Sequence, residues 1–95
     1  MTAFVIVDIK VHDPETYENY KSLVPASVEA YGGRFIARGG ATESLEGDWA
    51  PERIVMLEFP SLERARRWWA SPEYSEAKAI RMRTAHTRMI ATEGV

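Results

Sequence analysis

The chain has 95 residues, with 12 Lys and Arg against 14 Asp and Glu, and it contains no Cys. The absence of Cys excludes a disulfide framework, a thiolate nucleophile and a cysteine-ligated metal, and two His leave few nitrogen ligands for zinc. A formal net charge of −2 lacks the basic field that favours binding to nucleic acid. We therefore expect a cytoplasmic protein with one domain over residues 1–95, no metal and no other cofactor. A chain this small would gain useful burial from a second copy.

The first predicted element is a strand over Phe4–Val11, which is rich in β-branched residues. Its apolar run stops at Asp8 and follows no basic residue, so it predicts neither a signal peptide nor a membrane span. Alternation along this strand gives one face with Val5, Val7, Ile9 and Val11, and another with Phe4, Ile6, Asp8 and Lys10. Because both faces are apolar except at one end, the pattern indicates a central strand.

A helix is predicted to begin at Asp13-Pro14-Glu15, which combines a capping side chain, a proline without an amide hydrogen and an acid in the first turn. Apolar residues at helical spacing form one stripe, namely Tyr17, Tyr20, Val24, Val28 and Tyr31. Pro25 is expected to kink or split this helix near Leu23 and Val24, because proline removes an amide donor. Gly32-Gly33 is expected to end it.

The second half of the chain predicts two paired strands, two short helices and a last strand. The paired strands are Arg34–Arg38, with Arg34, Ile36 and Arg38 on one face, and Arg53–Phe59, joined by a long excursion over Ala41–Glu52. Ser61 is expected to cap one helix, and Ser71-Pro72-Glu73 a second that runs to about Met82. The last strand is predicted over Thr87–Thr92.

The element order β-α-β-β-α-α-β predicts an α+β fold of the ferredoxin-like, split β-α-β kind. We expect a four-stranded antiparallel sheet with the helices on one face, and right-handed crossovers are expected to place strands one and three side by side and parallel at its centre. The other face carries Ile6, Ile36, Ile54, Met56 and Ile90, which is too apolar for a solvated surface. The sequence therefore predicts a homodimer in which two sheets pack face to face.

A set of short motifs with fixed spacing resembles the family called domain of unknown function 1330 over almost the whole chain. The motifs are Asp13-Pro14-Glu15 with Tyr20, Gly32-Gly33-Arg34-Phe35, Arg38-Gly39-Gly40, Leu45-Glu46-Gly47, Glu58-Phe59-Pro60, Trp69, Ser71-Pro72-Glu73-Tyr74 and Arg81. The resemblance implies a dimeric α+β barrel, in which two ferredoxin-like protomers pair their sheets. That superfamily includes cofactor-free monooxygenases, isomerase-like enzymes and stress-responsive barrels, so the fold does not select a function. The family supplies no catalytic residues to carry over.

Three polar residues interrupt apolar strands and are candidates for chemistry. Asp8, Arg38 and Glu58 are all expected to project from the dimer face, where a buried carboxylate must be paired or protonated. One interpretation is a carboxylate that acts as acid or base at a pocket edge, and the other is an ion pair with Arg38 that fixes the dimer. His86 is a further candidate proton carrier, although the sequence shows no second metal ligand and no catalytic-triad partner near it.

A second group of residues suits a small ligand between the helices and the sheet. Tyr20, Trp69, Tyr74 and Arg81 can stack on a flat molecule and hold an anionic group, and Arg38 is added to this ligand-binding set. The alternative is that the aromatic residues are core and Arg81 caps a helix or pairs with an acid. Three functions remain open, namely a cofactor-free enzyme of the monooxygenase-like or isomerase-like kind, a non-catalytic ligand-binding or stress-related dimer, and a structural dimer with a filled core.

Overall fold

A computed structural model of the protein describes residues 1–95. Its elements, in chain order, are β1 (Ala3–Val11), α1 (Pro14–Ala30), β2 (Arg34–Arg38), β3 (Arg53–Phe59), α2 (Leu62–Trp69), α3 (Pro72–Thr84) and β4 (Ala85–Glu93). The strands β2 and β3 have the bounds that the sequence predicts, whereas α3 and β4 are longer and follow each other without a loop. None of the three helices is both long enough and apolar enough to cross a membrane.

The four strands form one sheet in the order β2-β3-β1-β4, and every pair of neighbours is antiparallel. The crossover through α1 makes β2 parallel to β1 but leaves a gap of one strand between them. Because β3 turns back from β2 and fills this gap, it must run antiparallel to both neighbours. The antiparallel, ferredoxin-like α+β fold is confirmed, and the expectation that strands one and three run parallel is wrong.

Each helix begins at the side-chain cap that the sequence predicts. The Asp13 carboxylate accepts the amide of Thr16 at 3.3 Å, the Ser61 hydroxyl accepts that of Arg64 at 3.1 Å, and the Ser71 hydroxyl accepts that of Tyr74 at 3.1 Å. These bonds satisfy amides that have no partner within the first turn of a helix.

Helix α1 continues through Pro25, so of the two expected effects of this proline, a kink or a split, the split is wrong. Proline lacks the amide hydrogen that bonds to the carbonyl four residues earlier, here that of Lys21. The Arg38 Nη2 donates to the Lys21 carbonyl oxygen at 2.7 Å and takes the place of the missing amide. A side chain from β2 therefore lets α1 accommodate the proline.

Arg38 reaches α1 because β2 contains a bulge. Phe35 pairs with Leu57 and Ala37 with Met56, so Ile36 is the extra residue between them. A bulge shifts the alternation of side chains after it. Arg38 therefore lies on the helix-covered face of the sheet, and the expectation that it projects from the opposite face is wrong.

The core lies between the three helices and one face of the sheet. Its largest side chains are Trp68, Tyr74 and Phe59, and the Trp68 ring centroid lies 4.2 Å from that of Tyr74 and 5.4 Å from that of Phe59. The buried Ser27 hydroxyl of α1 accepts the Trp68 Nε1 hydrogen at 3.1 Å and donates to the Val24 carbonyl at 2.7 Å. Helices α1 and α2 are thus joined inside the core by a polar contact.

The substitution Ser27→Ala is expected to lower the free energy of unfolding by about 1–3 kcal/mol, since it leaves the Trp68 N–H buried without an acceptor. The matched control is Ser22→Ala, because the exposed Ser22 hydroxyl also donates to a carbonyl three residues earlier, at 2.9 Å, but accepts nothing. Urea unfolding of the two variants provides the measurement. An equal loss of unfolding free energy in both variants would show that the hydrogen bond from Trp68 to Ser27 does not stabilise the fold.

The face of the sheet without helices, which we call the open face, is apolar along its centre. Phe4, Ile6, Ile54 and Met56 are partly exposed there, and Ile90 is 61% exposed. The helix-covered face of the same strands is almost fully buried. The open face therefore presents apolar side chains that the protomer itself does not cover.

Candidate functional site

A pocket of about 350 Å³ opens between α2, α3 and β4, and we call it the Arg81 pocket. Eight of its 11 lining residues are hydrophobic, including Trp68, Trp69, Met82 and Met89. Its polar side chains are those of Arg66, Arg81 and Thr87. It is therefore an apolar pocket with a few polar groups, the usual composition of a site for a small molecule.

Arg81 is the most informative residue of this pocket, because it is only 5% exposed and has no acidic partner. The four ion pairs of the protein, defined by a 4.0 Å limit, do not include it. Its Nε donates to the Tyr74 hydroxyl oxygen at 3.1 Å, and this is the one hydrogen bond of the guanidinium. A buried charge without a counterion is costly, which makes Arg81 a candidate for holding an anion.

Tyr74 and Tyr20 stand behind Arg81 and hold it in place. Tyr74 lies two helical turns before Arg81 on α3, and its hydroxyl oxygen is 3.1 Å from that of Tyr20 on α1. Burial raises the pKa of Tyr20 above its ordinary value, so its hydroxyl stays protonated. The two phenols thus form a hydrogen-bonded pair, and the Tyr74 hydroxyl of this pair accepts from the guanidinium.

Thr87 is a polar residue of this pocket that the sequence reasoning missed. Its Oγ1 is buried and has no hydrogen-bond partner. Alternation along β4 places Thr87 on the helix-covered face with Met89 and Ala91, and a hydroxyl among apolar neighbours is the signal that identifies it. The hydroxyl adds a second free hydrogen-bonding group to the pocket that contains Arg81.

The structure divides the ligand-binding set that the sequence predicts. Trp69 and Arg81 both line the Arg81 pocket. The Lys78 ammonium lies over the Trp69 ring, 3.7 Å from the ring centroid. Tyr74 and Tyr20 do not line the pocket. They support Arg81, because the Tyr74 hydroxyl accepts from Arg81 Nε and is hydrogen-bonded to the Tyr20 hydroxyl. Arg38 lies elsewhere, beside the Lys21 carbonyl and with its guanidinium carbon 4.3 Å from the Phe35 ring centroid.

The candidate acid–base residues lie on the open face and not in the Arg81 pocket. Asp8 and His86 border one shallow depression of about 440 Å³, where the exposed His86 ring lies 5.3 Å from that of His12. Glu58 is four positions from Asp8 in register and accepts from Arg34 Nε at 2.8 Å. The structure brings Asp8 and His86 together, but it does not join Asp8, Arg38 and Glu58 into the expected cluster.

Asp8 is held by two donors that are distant in the sequence. Arg88 Nη2 donates to the Asp8 carboxylate at 2.6 Å, and the Trp49 Nε1 donates to the same oxygen at 3.1 Å. The Arg88 hydrogen bond is the main cause that holds the pKa of Asp8 below its ordinary value. Asp8 is therefore an ionised partner in a contact between β1, β4 and the loop that carries Trp49.

The substitution Asp8→Asn is expected to destabilise the protein at neutral pH and to matter little in acid. Because the folded-state pKa of Asp8 lies below the ordinary value of 3.8, the charged form stabilises the fold above that value. This contribution is lost as the pH falls through the folded-state pKa. Denaturant unfolding at neutral pH and at a pH below the folded-state pKa of Asp8 measures the difference. Asp48→Asn, which removes an exposed carboxylate without an ion pair, is the control, and an unchanged difference at both pH values would contradict the prediction.

Three solved structures show the same fold. The RPA0582 protein of unknown function from Rhodopseudomonas palustris matches with a TM-score of 0.78 and 19% identity, over 99% of this chain and 82% of that chain. A dimeric ferredoxin-like protein of unknown function from Jannaschia sp. CCS1 matches with a TM-score of 0.73 and 8% identity, over 99% and 100%. SnoaB, a cofactor-independent oxygenase from Streptomyces nogalater, matches with a TM-score of 0.64 and 14% identity, over 99% and 92%.

At these identities the likeness shows the fold alone. No curated protein matches the sequence. No three His, Asp or Glu side chains lie close enough together to hold a metal ion. The cytoplasmic location remains a prediction.

The sequence from residue 2 to residue 95 matches the family model described as domain of unknown function (DUF1330). The match spans every strand and helix of the fold, including the elements that form the Arg81 pocket. The chain therefore belongs to the DUF1330 family, with a ferredoxin-like fold.

Proposed function

We propose that the protein is a homodimeric binder of a small apolar carboxylate, and that each protomer holds this ligand in the Arg81 pocket. The observation that carries the proposal is the buried guanidinium of Arg81, which faces an apolar pocket without any acidic side chain to neutralise it. A carboxylate supplies the missing charge and accepts the free guanidinium hydrogens. The Thr87 hydroxyl is available as an additional donor to the same group.

The pocket also indicates the size and shape of the ligand. A volume of about 350 Å³ lies at the small end of the range for ligand pockets, about 300–1,000 Å³. Trp68 and Trp69 offer ring faces, and Met82 and Met89 offer flexible apolar contacts. This combination favours an acid with a single aromatic ring or a short branched chain.

The geometry favours binding over the cofactor-free oxygenase or isomerase chemistry that other members of the superfamily perform. No carboxylate or imidazole lines the Arg81 pocket, so no acid or base stands beside a bound ligand to move a proton. Asp8, Glu58 and His86 lie on the open face, across the sheet from the pocket.

The dimer proposal is supported by the apolar centre of the open face and by the dimeric description of the Jannaschia protein. Two copies that pack open face to open face would cover Ile6, Ile54, Met56 and Ile90. The residues that line the Arg81 pocket lie mainly on the helix side of the sheet, and Ile90 is the pocket residue that this interface would also cover.

Calorimetric titration with matched pairs of acids and amides tests the binding proposal. Phenylacetate and indole-3-acetate are expected to bind and to raise the unfolding temperature, because a ligand that binds only the folded state stabilises it. Phenylacetamide and indole-3-acetamide have nearly the same shape but no charge, and they are expected to bind much more weakly. Equal binding of acid and amide, or no binding by either, would overturn the role of Arg81.

A further inference from the structure

Two arginines without an acidic partner lie side by side where β2 ends and β3 begins. Arg38 pairs in register with Val55, and Arg53 lies two residues before Val55, so their side chains are diagonal neighbours on the helix-covered face. Neither guanidinium has a carboxylate within 4.0 Å, and the nearby Glu18 pairs with Lys21 at 3.1 Å instead. Like charges in this arrangement repel each other unless an anion lies between them.

Arg53 has hydrogen-bonding capacity that the protein does not use. Its Nε is buried and has no hydrogen-bond partner, although the residue as a whole is partly exposed. Its guanidinium carbon lies 5.8 Å from the ring centroid of Tyr17, which packs against one side of it. A buried donor without an acceptor is costly, so the Arg53 side chain keeps hydrogen-bonding capacity for an acceptor from outside the protein.

Three unusual backbone features bring these arginines together. The bulge at Ile36 turns Arg38 to the helix-covered face, and Pro25 frees the Lys21 carbonyl that holds it there. Gly39 has a positive φ of 69°, and a Cβ at this position would overlap the Arg53 guanidinium. Bulges commonly redirect side chains beside functional sites. All three features act on the same pair of charges, which points to a built site.

We propose that Arg38 and Arg53 bind an oxyanion of the phosphate type in a second site, separate from the Arg81 pocket. They border a depression of about 430 Å³, which we call the Arg53 depression, together with Lys21, Glu18 and Ser22. No hydrophobic residue lines it, and it carries three cationic side chains against one acidic side chain. Two guanidiniums suit a doubly charged tetrahedral anion, because each offers paired donors to its oxygens. The expected ligand is a small polar molecule with a phosphate group, or phosphate itself.

Nuclear magnetic resonance of the arginine Nε–Hε groups tests this site in the unmodified protein. Titration with inorganic phosphate at constant ionic strength is expected to shift the Arg53 and Arg38 signals with one saturating midpoint. The Arg34 signal should stay in place, because its Nε already donates to Glu58 at 2.8 Å. Acetate, which carries one charge, is expected to bind more weakly.

The matched variants are Arg53→Met and Arg83→Met, since Arg83 is exposed and has no ion pair. Arg53→Met is expected to weaken phosphate binding by about tenfold or more, and Arg83→Met to leave it unchanged. Three results would show non-specific ion association and overturn the proposal. They are NMR shifts that do not saturate with phosphate, a shift of Arg34 as large as that of Arg53, and an equal loss of phosphate affinity in both variants. If Arg53→Met fails to fold, the phosphate titration of the unmodified protein still tests whether Arg53 and Arg38 bind the anion. The two sites share no residue, so this result is independent of the Arg81 pocket.

Discussion

Replacing Arg81 with Met is expected to weaken the binding of an apolar carboxylate by about ten- to a hundredfold. A hydrogen bond to a charged group contributes about 1.5–3 kcal/mol, and each 1.4 kcal/mol corresponds to a factor of ten in affinity. The neutral amide of the same acid does not use this charge, so its weak affinity should hardly change. Calorimetric titration of acid and amide against the variant measures both effects.

The same substitution is expected to leave the unliganded protein at least as stable as before. Arg81 is buried without a counterion, and replacing a buried charge with an apolar side chain of similar length is often neutral or stabilising. The Tyr74 hydroxyl keeps its contact with Tyr20 in the variant. A gain in stability together with a loss of binding would identify Arg81 as a residue retained for the ligand.

Arg83→Met is the control, because it makes the same chemical change two residues away on an exposed position of α3. Its affinity for phenylacetate should equal that of the unmodified protein. If Arg81→Met binds phenylacetate as tightly as this control, the carboxylate does not contact Arg81 and the assignment of the pocket is wrong.

Replacing Ile54 with Lys is expected to convert the proposed homodimer into a folded monomer. Ile54 lies on the open face opposite Asp8 in register, and it is partly exposed in the protomer. In a dimer with the two open faces in contact, each copy would bury one new ammonium group, and the Asp8 carboxylate opposite it is already paired with Arg88 at 2.6 Å. Burying such a group costs several kcal/mol, which raises the dissociation constant of the dimer by about a hundredfold or more.

Light scattering at micromolar concentration measures the mass of the variant, and circular dichroism checks that it is folded. Met56→Lys on the same face should act in the same way. The control is Leu23→Lys, because Leu23 is a 39% exposed apolar residue of α1, away from the open face. A monomeric unmodified protein, or a dimer that survives Ile54→Lys, would show that the open face is not the interface.

Local signals in the sequence predict the elements well. The bounds of β2 and β3 follow from turn residues and β-branched runs, and the caps Asp13, Ser61 and Ser71 act on amides three residues away. Such signals need no knowledge of the rest of the fold. The apolar character of both faces of β1 likewise predicts its central place in the sheet.

Features that depend on contacts between distant elements are not predictable in this way. The bulge at Ile36 is defined by its pairing with β3, so simple alternation assigns Arg38 to the wrong face. Pro25 is tolerated within α1 because Arg38 replaces the missing donor, which helix propensity does not include. The partner of Asp8 is Arg88, 80 residues away along the chain.

For the candidate site, residue chemistry predicts five ligand-binding residues, of which two line the Arg81 pocket, namely Trp69 and Arg81, while Tyr20, Arg38 and Tyr74 do not. The sequence leaves open whether Arg81 pairs with an acid, and only the three-dimensional arrangement shows that no acid reaches it. Thr87 is not predicted from the sequence, because a single hydroxyl in a strand has many possible roles. Only the structure shows that its hydroxyl is buried without a hydrogen-bond partner.

The three tryptophans occupy three different environments, which gives the protein a set of internal fluorescence probes. Trp68 is 1% exposed and reports on the integrity of the core, whereas Trp69, at 45%, borders the Arg81 pocket and would respond to the proposed ligand. Trp49, at 54%, lies on the open face through its contact with Asp8 and would be covered by a second copy. Variants that keep one tryptophan at a time would let unfolding, ligand binding and dimer formation be followed separately in one molecule.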